Sequence, residues 1–237
     1  VGIIGGGIMG VSLLYHLAKE GWKDLVLIEK GELTSGSTWH AAGQCPQMMG
    51  SYNLAKVHLH STNLYKKLEK ETGQSTGWHG CGSLRLAYKQ EDLDWFHYVK
   101  GILDNVGAPA EIISANEIKK IHPFIKLDGI MGAFHTPEDG HTDPTSTTNA
   151  MAKGARNAGA KIYRNNRVTD IKLRSSGEWE LITEKGNIIC EHVVNAAGSY
   201  CPEVGAMVGL KNIPSINMIH HYLVTDEHPE IKKLKKE

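Results

Sequence analysis

The stretch Val1-Gly2-Ile3-Ile4-Gly5-Gly6-Gly7-Ile8-Met9-Gly10 decides the fold, together with Leu25-Val26-Leu27-Ile28-Glu29 that follows it. Val1 to Ile4 is a short apolar run, as expected for a strand buried on both faces. Ile8 to Glu20 carries an apolar stripe of Leu13, Leu14, Leu17 and Ala18, and Gly21 marks its stop. Leu25 to Ile28 is a second apolar strand that ends on an acid. The spacing Gly5-x-Gly7-x-x-Gly10 between strand and helix is the dinucleotide-binding fingerprint in its required context. Gly5 serves the tight turn, Gly7 admits the pyrophosphate, and Gly10 allows close helix–strand packing. Glu29, 24 positions after Gly5, can accept hydrogen bonds from a ribose diol. Ile8 and Met9 stand inside the fingerprint, and Lys30 follows Glu29.

Outward from this unit, residues 31–50 read as a loop rich in Gly, Ser and Thr. A helix is predicted over Asn53–Glu71, a strand over Ser83–Tyr88, and helices over 90–106 and 114–121. A strand at Ile130–Phe134 leads into a polar loop, Pro137 to Pro144. Thr147–Ala158 reads as a helix and Lys161–Arg164 as a strand. Val168–Leu173, Glu178–Thr183 and Ile188–Asn195 also read as strands. Tyr200–Val208 is read as a helix and Met218–Thr225 as a final strand. Strand–helix alternation at both ends with a different middle predicts an α/β domain interrupted by an insertion.

The 237 residues carry 26 Lys+Arg and 26 Asp+Glu, and 41% of them are hydrophobic. Zero net charge argues against a nucleic-acid binder, and no apolar run reaches membrane-spanning length. Four cysteines far apart suit a reducing compartment. The start at Val1 inside an apolar strand and the charged end suggest a fragment of a longer chain.

Between Gly36 and Gly43 the sequence reads GSTWHAAG. Further along stand GSLRLA (82–87), DGHTDP (139–144), VNAAG (194–198) and HHYLVT (220–225). These segments, in this order, resemble the dimethylglycine and sarcosine dehydrogenase family of D-amino-acid-oxidase-like flavoproteins, nearest its dimethylglycine branch. The resemblance implies an α/β fold: a Rossmann-type FAD-binding domain with an inserted antiparallel-sheet substrate domain, incomplete at the C-terminus. It assigns residues 1–75 and 145–210 to FAD and 76–144 and 211–237 to substrate. Gly36, Ser37, Thr38, Trp39, His40, Ala41, Ala42, Gly43 and Gln44 would line the flavin. His40 would carry it covalently, through a ring nitrogen bonded to the 8α-methyl. Val168, Gly198 and Tyr200 match further cofactor-proximal positions, and His220 matches the catalytic segment. Leu14 stands where such flavoproteins usually carry Ala or Gly, which predicts slightly looser helix–strand packing.

The activity so implied is oxidative N-demethylation of dimethylglycine or sarcosine, with hydride passing to flavin N5. His220 would accept or hold a proton from the substrate amine. An electron-transfer flavoprotein is the implied partner, and tetrahydrofolate would need a C-terminal region outside this sequence. The compartment would be bacterial cytoplasm or mitochondrial matrix. The alternatives are a D-amino-acid or glycine oxidase with dissociable FAD, and a non-catalytic flavin-binding module. An NAD-dependent dehydrogenase is disfavoured by the loop and by VNAAG.

Of 13 histidines, only His40 and His220 call for a functional reading. His58 and His60 fall on different helix faces. His135 and His141 flank an acidic loop with Asp139 and Asp143, but no Cys or further His stands at zinc-like spacing. A structural loop and no metal are expected there.

Overall fold

A computed structural model describes residues 1–226 and 228–233. In chain order, β1 (Gly2–Ile4), α1 (Ile8–Lys19) and β2 (Val26–Ile28) form the opening unit. β3 (Gln44–Cys45), α2 (Tyr52–Thr72), β4 (Ser83–Ala87), α3 (Gln90–Val106), β5 (Glu111–Ile113) and α4 (Ala115–Ile121) follow. Then come β6 (Gly132–Thr136), β7 (Gly140–His141), α5 (Pro144–Asn157) and β8 (Lys161–Tyr163). β9 (Val168–Leu173), β10 (Trp179–Thr183), β11 (Ile188–Cys190), β12 (Val193–Asn195), α6 (Cys201–Ala206) and α7 (Pro229–Lys232) complete the described chain.

A parallel sheet in the order β12-β1-β2-β8 joins the first 28 residues to segments more than 130 positions away. Its side chains alternate between two cores, as a pleated strand requires. Ile3 and Leu27 face one way and pack with Val11 and Leu14 of α1, Leu68 of α2 and Met151 of α5. Ile4, Val26 and Ile28 face the other way, against Leu181 of the β9–β11 meander and Val204 of α6. Both faces are therefore covered, which is why these strands are apolar throughout. Residues 83–136 contribute a separate antiparallel sheet, order β4-β6-β5, packed on α3 through Phe96, Val99, Leu103 and Phe134. Among the described residues no helix is long and apolar enough to cross a membrane.

Several sequence expectations change. The run Ile188–Asn195 is two strands: β11 pairs antiparallel with β10, and β12 joins the parallel sheet beside β1. The polar pair Glu191-His192 marks the break between two apolar strands. α5 starts at Pro144, because Asp143 caps it: its carboxylate accepts from Ser146 N–H at 2.6 Å. The 31–50 and 137–144 loops each contain a two-residue strand, and these pair with each other. β5 escaped the reading because three residues carry almost no pattern. Leu14 is fully buried in the first core.

Met218–Thr225 is not a strand: it has no regular structure and is exposed. An apolar stretch makes a strand only where a neighbouring ladder accepts its backbone groups, and no described strand lies beside this one. Glu227 and residues 234–237, inside the expected second substrate segment, lie outside the described residues.

Candidate functional site

A cleft of about 460 Å³ opens where β1, β2 and β12 end. Clefts at the carboxyl ends of parallel strands are where this class of sheet binds ligands. Its floor is the glycine turn. Gly5 has φ +117°, and a Cβ there would lie 2.3 Å from the carbonyl oxygen of Ala196. A Cβ on Gly10 would lie 2.1 Å from the Gly5 carbonyl oxygen. These two glycines let turn, helix and β12 touch backbone to backbone. A Cβ on Gly6 would meet Glu29 and Leu33 at 2.9 and 2.7 Å, which accounts for the third consecutive glycine.

α1 begins at this turn with no acidic residue in its first turn and no side-chain cap from Gly7. Its N-terminus thus offers N–H groups and the positive end of the helix dipole to an anion. One of those groups, Ile8 N–H, donates to Thr38 Oγ1 at 3.0 Å, tying the 36–43 loop to the helix. Glu29 is buried at the end of β2. Its Oε2 accepts from Gly6 N–H at 2.7 Å and its Oε1 from Gly31 N–H at 2.8 Å. A carboxylate has about four acceptor positions, so two remain for hydroxyl donors.

Gly5, Gly7, Ile8, Met9, Glu29 and Lys30 all line the cleft, as do Gly36, Ser37, Thr38 and Ala41. Val168, Gly198 and Tyr200 close its far side, with Lys30 Nζ 3.2 Å from the centre of the Tyr200 ring. Gly10 lies beneath the floor and acts through packing. Trp39, His40, Ala42, Gly43 and Gln44 continue from the lining without belonging to it. Trp39 and His40 are exposed and lie against each other, ring centres 3.8 Å apart and planes tilted by 34°. His220 is not brought to the cleft; it sits in the exposed 218–225 segment.

The cleft also contains residues that sequence reasoning missed. Arg167 lines it beside Val168 and supplies a cation; no motif surrounds it to give it away. Ser35, Ser199, Glu203 and Met207 line it as well. The turn after β12 was the available signal for Ser199, since it follows VNAAG directly.

The loop beyond Thr38 is pinned by the 137–144 turn. Gly43 has φ +74°, and a Cβ there would lie 2.0 Å from the Thr142 carbonyl oxygen, whose own N–H donates to Gly43 O at 2.9 Å. β3 then pairs antiparallel with β7, Gln44 opposite His141. Asp139 holds this turn from within. It is 1% exposed and accepts from Gln47 N–H at 2.9 Å, from Ser83 Oγ at 2.6 Å and from Thr136 Oγ1. Asp139 thus holds the turn, and Asp143 caps α5. Burial, with Asp139 nearby, pushes the Cys45 thiol up to about 11, so it is a neutral thiol at pH 7.

The sequence as a whole matches the family described as FAD dependent oxidoreductase, DAO, over residues 1–236. The chain belongs to this family. It is 45% identical over 235 residues to rat mitochondrial dimethylglycine dehydrogenase, covering 99% of this chain and 27% of that protein. It is 35% identical to mouse mitochondrial sarcosine dehydrogenase, covering 98% of this chain and 26% of that one. Among solved structures, L-proline dehydrogenase from P. horikoshii superposes with a TM-score of 0.82 at 32% identity, covering 90% of this chain and 56% of that one. The fold is therefore D-amino-acid-oxidase-like, and the chain spans about a quarter of the length of these two mitochondrial relatives. The cleft fits FAD on its own terms: a glycine cradle that a Cβ would fill, a helix N-terminus with no acidic residue in its first turn, and a buried carboxylate with acceptor positions to spare.

Proposed function

We propose that this protein carries out FAD-dependent oxidative N-demethylation of a small N-methyl amino acid, dimethylglycine or sarcosine. The observation that carries this reading is the whole-chain identity to a dimethylglycine dehydrogenase, laid over a cleft whose glycine turn and Glu29 suit a dinucleotide. The chemistry that bound FAD supplies is two-electron oxidation, acceptance of hydride from the N-methyl carbon at N5.

The chain's own residues bind and orient. Glu29 accepts from a ribose diol with the oxygen lone pairs its backbone donors leave. The Gly5–Gly7 backbone and the α1 N-terminus receive the pyrophosphate, with Arg167 as countercharge. The exposed His40 imidazole, at the open end of the cleft lining, anchors the cofactor through a ring nitrogen. His220 holds the proton of the substrate amine, so that the nitrogen lone pair assists hydride loss. Residues 1–75 and 145–210 form the cofactor unit, and 76–144 with 211–237 belong to the substrate unit. The electron acceptor is an electron-transfer flavoprotein, and the setting a mitochondrial matrix or a bacterial cytoplasm. Transfer of the one-carbon unit to tetrahydrofolate would fall to a separate folate-binding region.

Anaerobic mixing of the flavin-loaded protein with single amino acids tests the reading. Dimethylglycine or sarcosine should bleach the oxidised flavin spectrum, while glycine and D-alanine should not. Bleaching by glycine or D-alanine alone would reassign the protein to the oxidase reading, and bleaching by none of them would contradict catalysis.

A further inference from the structure

Apart from the cleft, three side chains with metal-ligating atoms converge on the surface: His79, Cys81 and His141. One ligand atom from each lies within 4.8 Å of the others. The backbone explains why. His79 and His141 form an antiparallel bridge, with His79 N–H donating to His141 O at 2.8 Å and His141 N–H to His79 O at 3.0 Å. Residues directly opposite in such a pair project to the same face. Cys81 lies two positions after His79, the spacing that returns to that face in extended chain. A two-stranded ribbon thus presents three ligands on one side.

Glycine allows the approach. A Cβ on Gly140, next to His141, would lie 2.4 Å from the His79 carbonyl oxygen and 2.8 Å from Trp78 Cζ2. Any other residue would push the two segments apart and separate the imidazoles. Among the described residues, neither ring has a hydrogen-bond partner. The two rings lie side by side, with centres 5.3 Å apart. The Cys81 thiol donates to the carbonyl of its neighbour Gly82, at 3.4 Å. All three residues are exposed, so an ion has an entry path.

We propose that His79, Cys81 and His141 bind a divalent cation of borderline softness, Zn²⁺ above all. Two imidazole nitrogens and a thiolate are a zinc ligand set and a poor one for Mg²⁺ or Ca²⁺, which take oxygen. Metal–ligand bonds of about 2.0–2.3 Å in a tetrahedron hold ligand atoms about 3.5 Å apart, within reach of small side-chain rotations. Three protein ligands leave a fourth position for water or an exogenous ligand. The thiol proton goes to solvent as the Sγ–metal bond forms. β7 carries His141 and also pairs with Gln44, so the ion would clamp the ribbon that holds the 36–44 loop.

Cobalt substitution reads this directly. Titrating the metal-free protein with Co²⁺ under reducing conditions should give visible d–d bands and a near-ultraviolet thiolate-to-cobalt charge-transfer band. Both should saturate at one ion per chain and vanish on adding Zn²⁺. Cys81→Ser, a conservative change at an exposed position, should abolish the charge-transfer band. The double variant His79→Ala/His141→Ala should weaken binding at least tenfold with far-ultraviolet circular dichroism unchanged. No charge-transfer band in the wild type, or one that survives in Cys81→Ser, would overturn the site. X-ray absorption on the zinc-loaded wild type gives a check free of variants: one sulfur and two imidazoles are expected, and an all-oxygen shell would overturn it.

Discussion

Glu29 is held by two backbone N–H groups before any ligand arrives, so its carboxylate is aimed by the turn it stabilises. Cofactor binding and local folding therefore share a side chain. Gly10 couples them too: with a Cβ 2.1 Å from a backbone oxygen, Gly10→Ala must shift α1 or the turn. Overpacking of this kind costs about 1–3 kcal/mol, and in a chain of this size each kcal/mol lowers the melting temperature by roughly 2–4 °C. A thermal melt of Gly10→Ala should show that fall. His40 makes a different kind of claim. Wild-type protein precipitated with acid should retain its flavin, and His40→Ala should release all of it. Release from the wild type would remove the covalent bond from the account. The thiols separate by environment: a maleimide at pH 7 should modify exposed Cys81 at least tenfold faster than Cys45, whose pKa burial raises to about 11. Peptide mapping of the labelled protein would check the order.

At the level of elements, the opening βαβ unit was legible because its signals lie within 30 residues and depend on local backbone needs. The β3–β7 pair was not, because two two-residue strands almost 100 positions apart carry no periodicity. Its consequence is specific: the 36–44 loop is positioned by the DGHTDP turn, through Gly43. In Gly43→Ala the added Cβ and the φ of +74° should unseat β3. The variant should keep wild-type far-ultraviolet circular dichroism while losing most of its acid-stable flavin. The split between β11 and β12 is marked only by Glu191-His192, and both sheets ask for the same apolar residues on either side of it, so the sequence does not say that the two halves enter different sheets. The convergence of His79 and Cys81 on His141 was also invisible, since 60 positions separate them and only the bridge brings them together.

Over the whole molecule, the alternation at the two ends correctly foretold a parallel sheet closed by distant segments, and the inserted antiparallel sheet lies between them. The exception is the stretch near the C-terminus. Ile216, Met218, Ile219, Leu223 and Val224 are 81–89% exposed, an apolar run with no strand beside it among the described residues. His220 lies within it, so its proposed role is tested by kinetics rather than by geometry. His220→Ala should lower the rate of flavin reduction by dimethylglycine at least tenfold without changing flavin content, and an unchanged rate would move the role elsewhere.

The central claim is that the cleft below Gly5–Gly7 and Glu29 holds FAD. Titration of flavin-free protein with FAD, followed by quenching of flavin fluorescence, tests it most directly. One FAD should bind per chain. Glu29→Gln should weaken binding by about 10- to 150-fold, the equivalent of losing a hydrogen bond to a charged group worth about 1.5–3 kcal/mol. Binding of equal strength in Glu29→Gln, or no saturable binding by the wild type, would contradict the account.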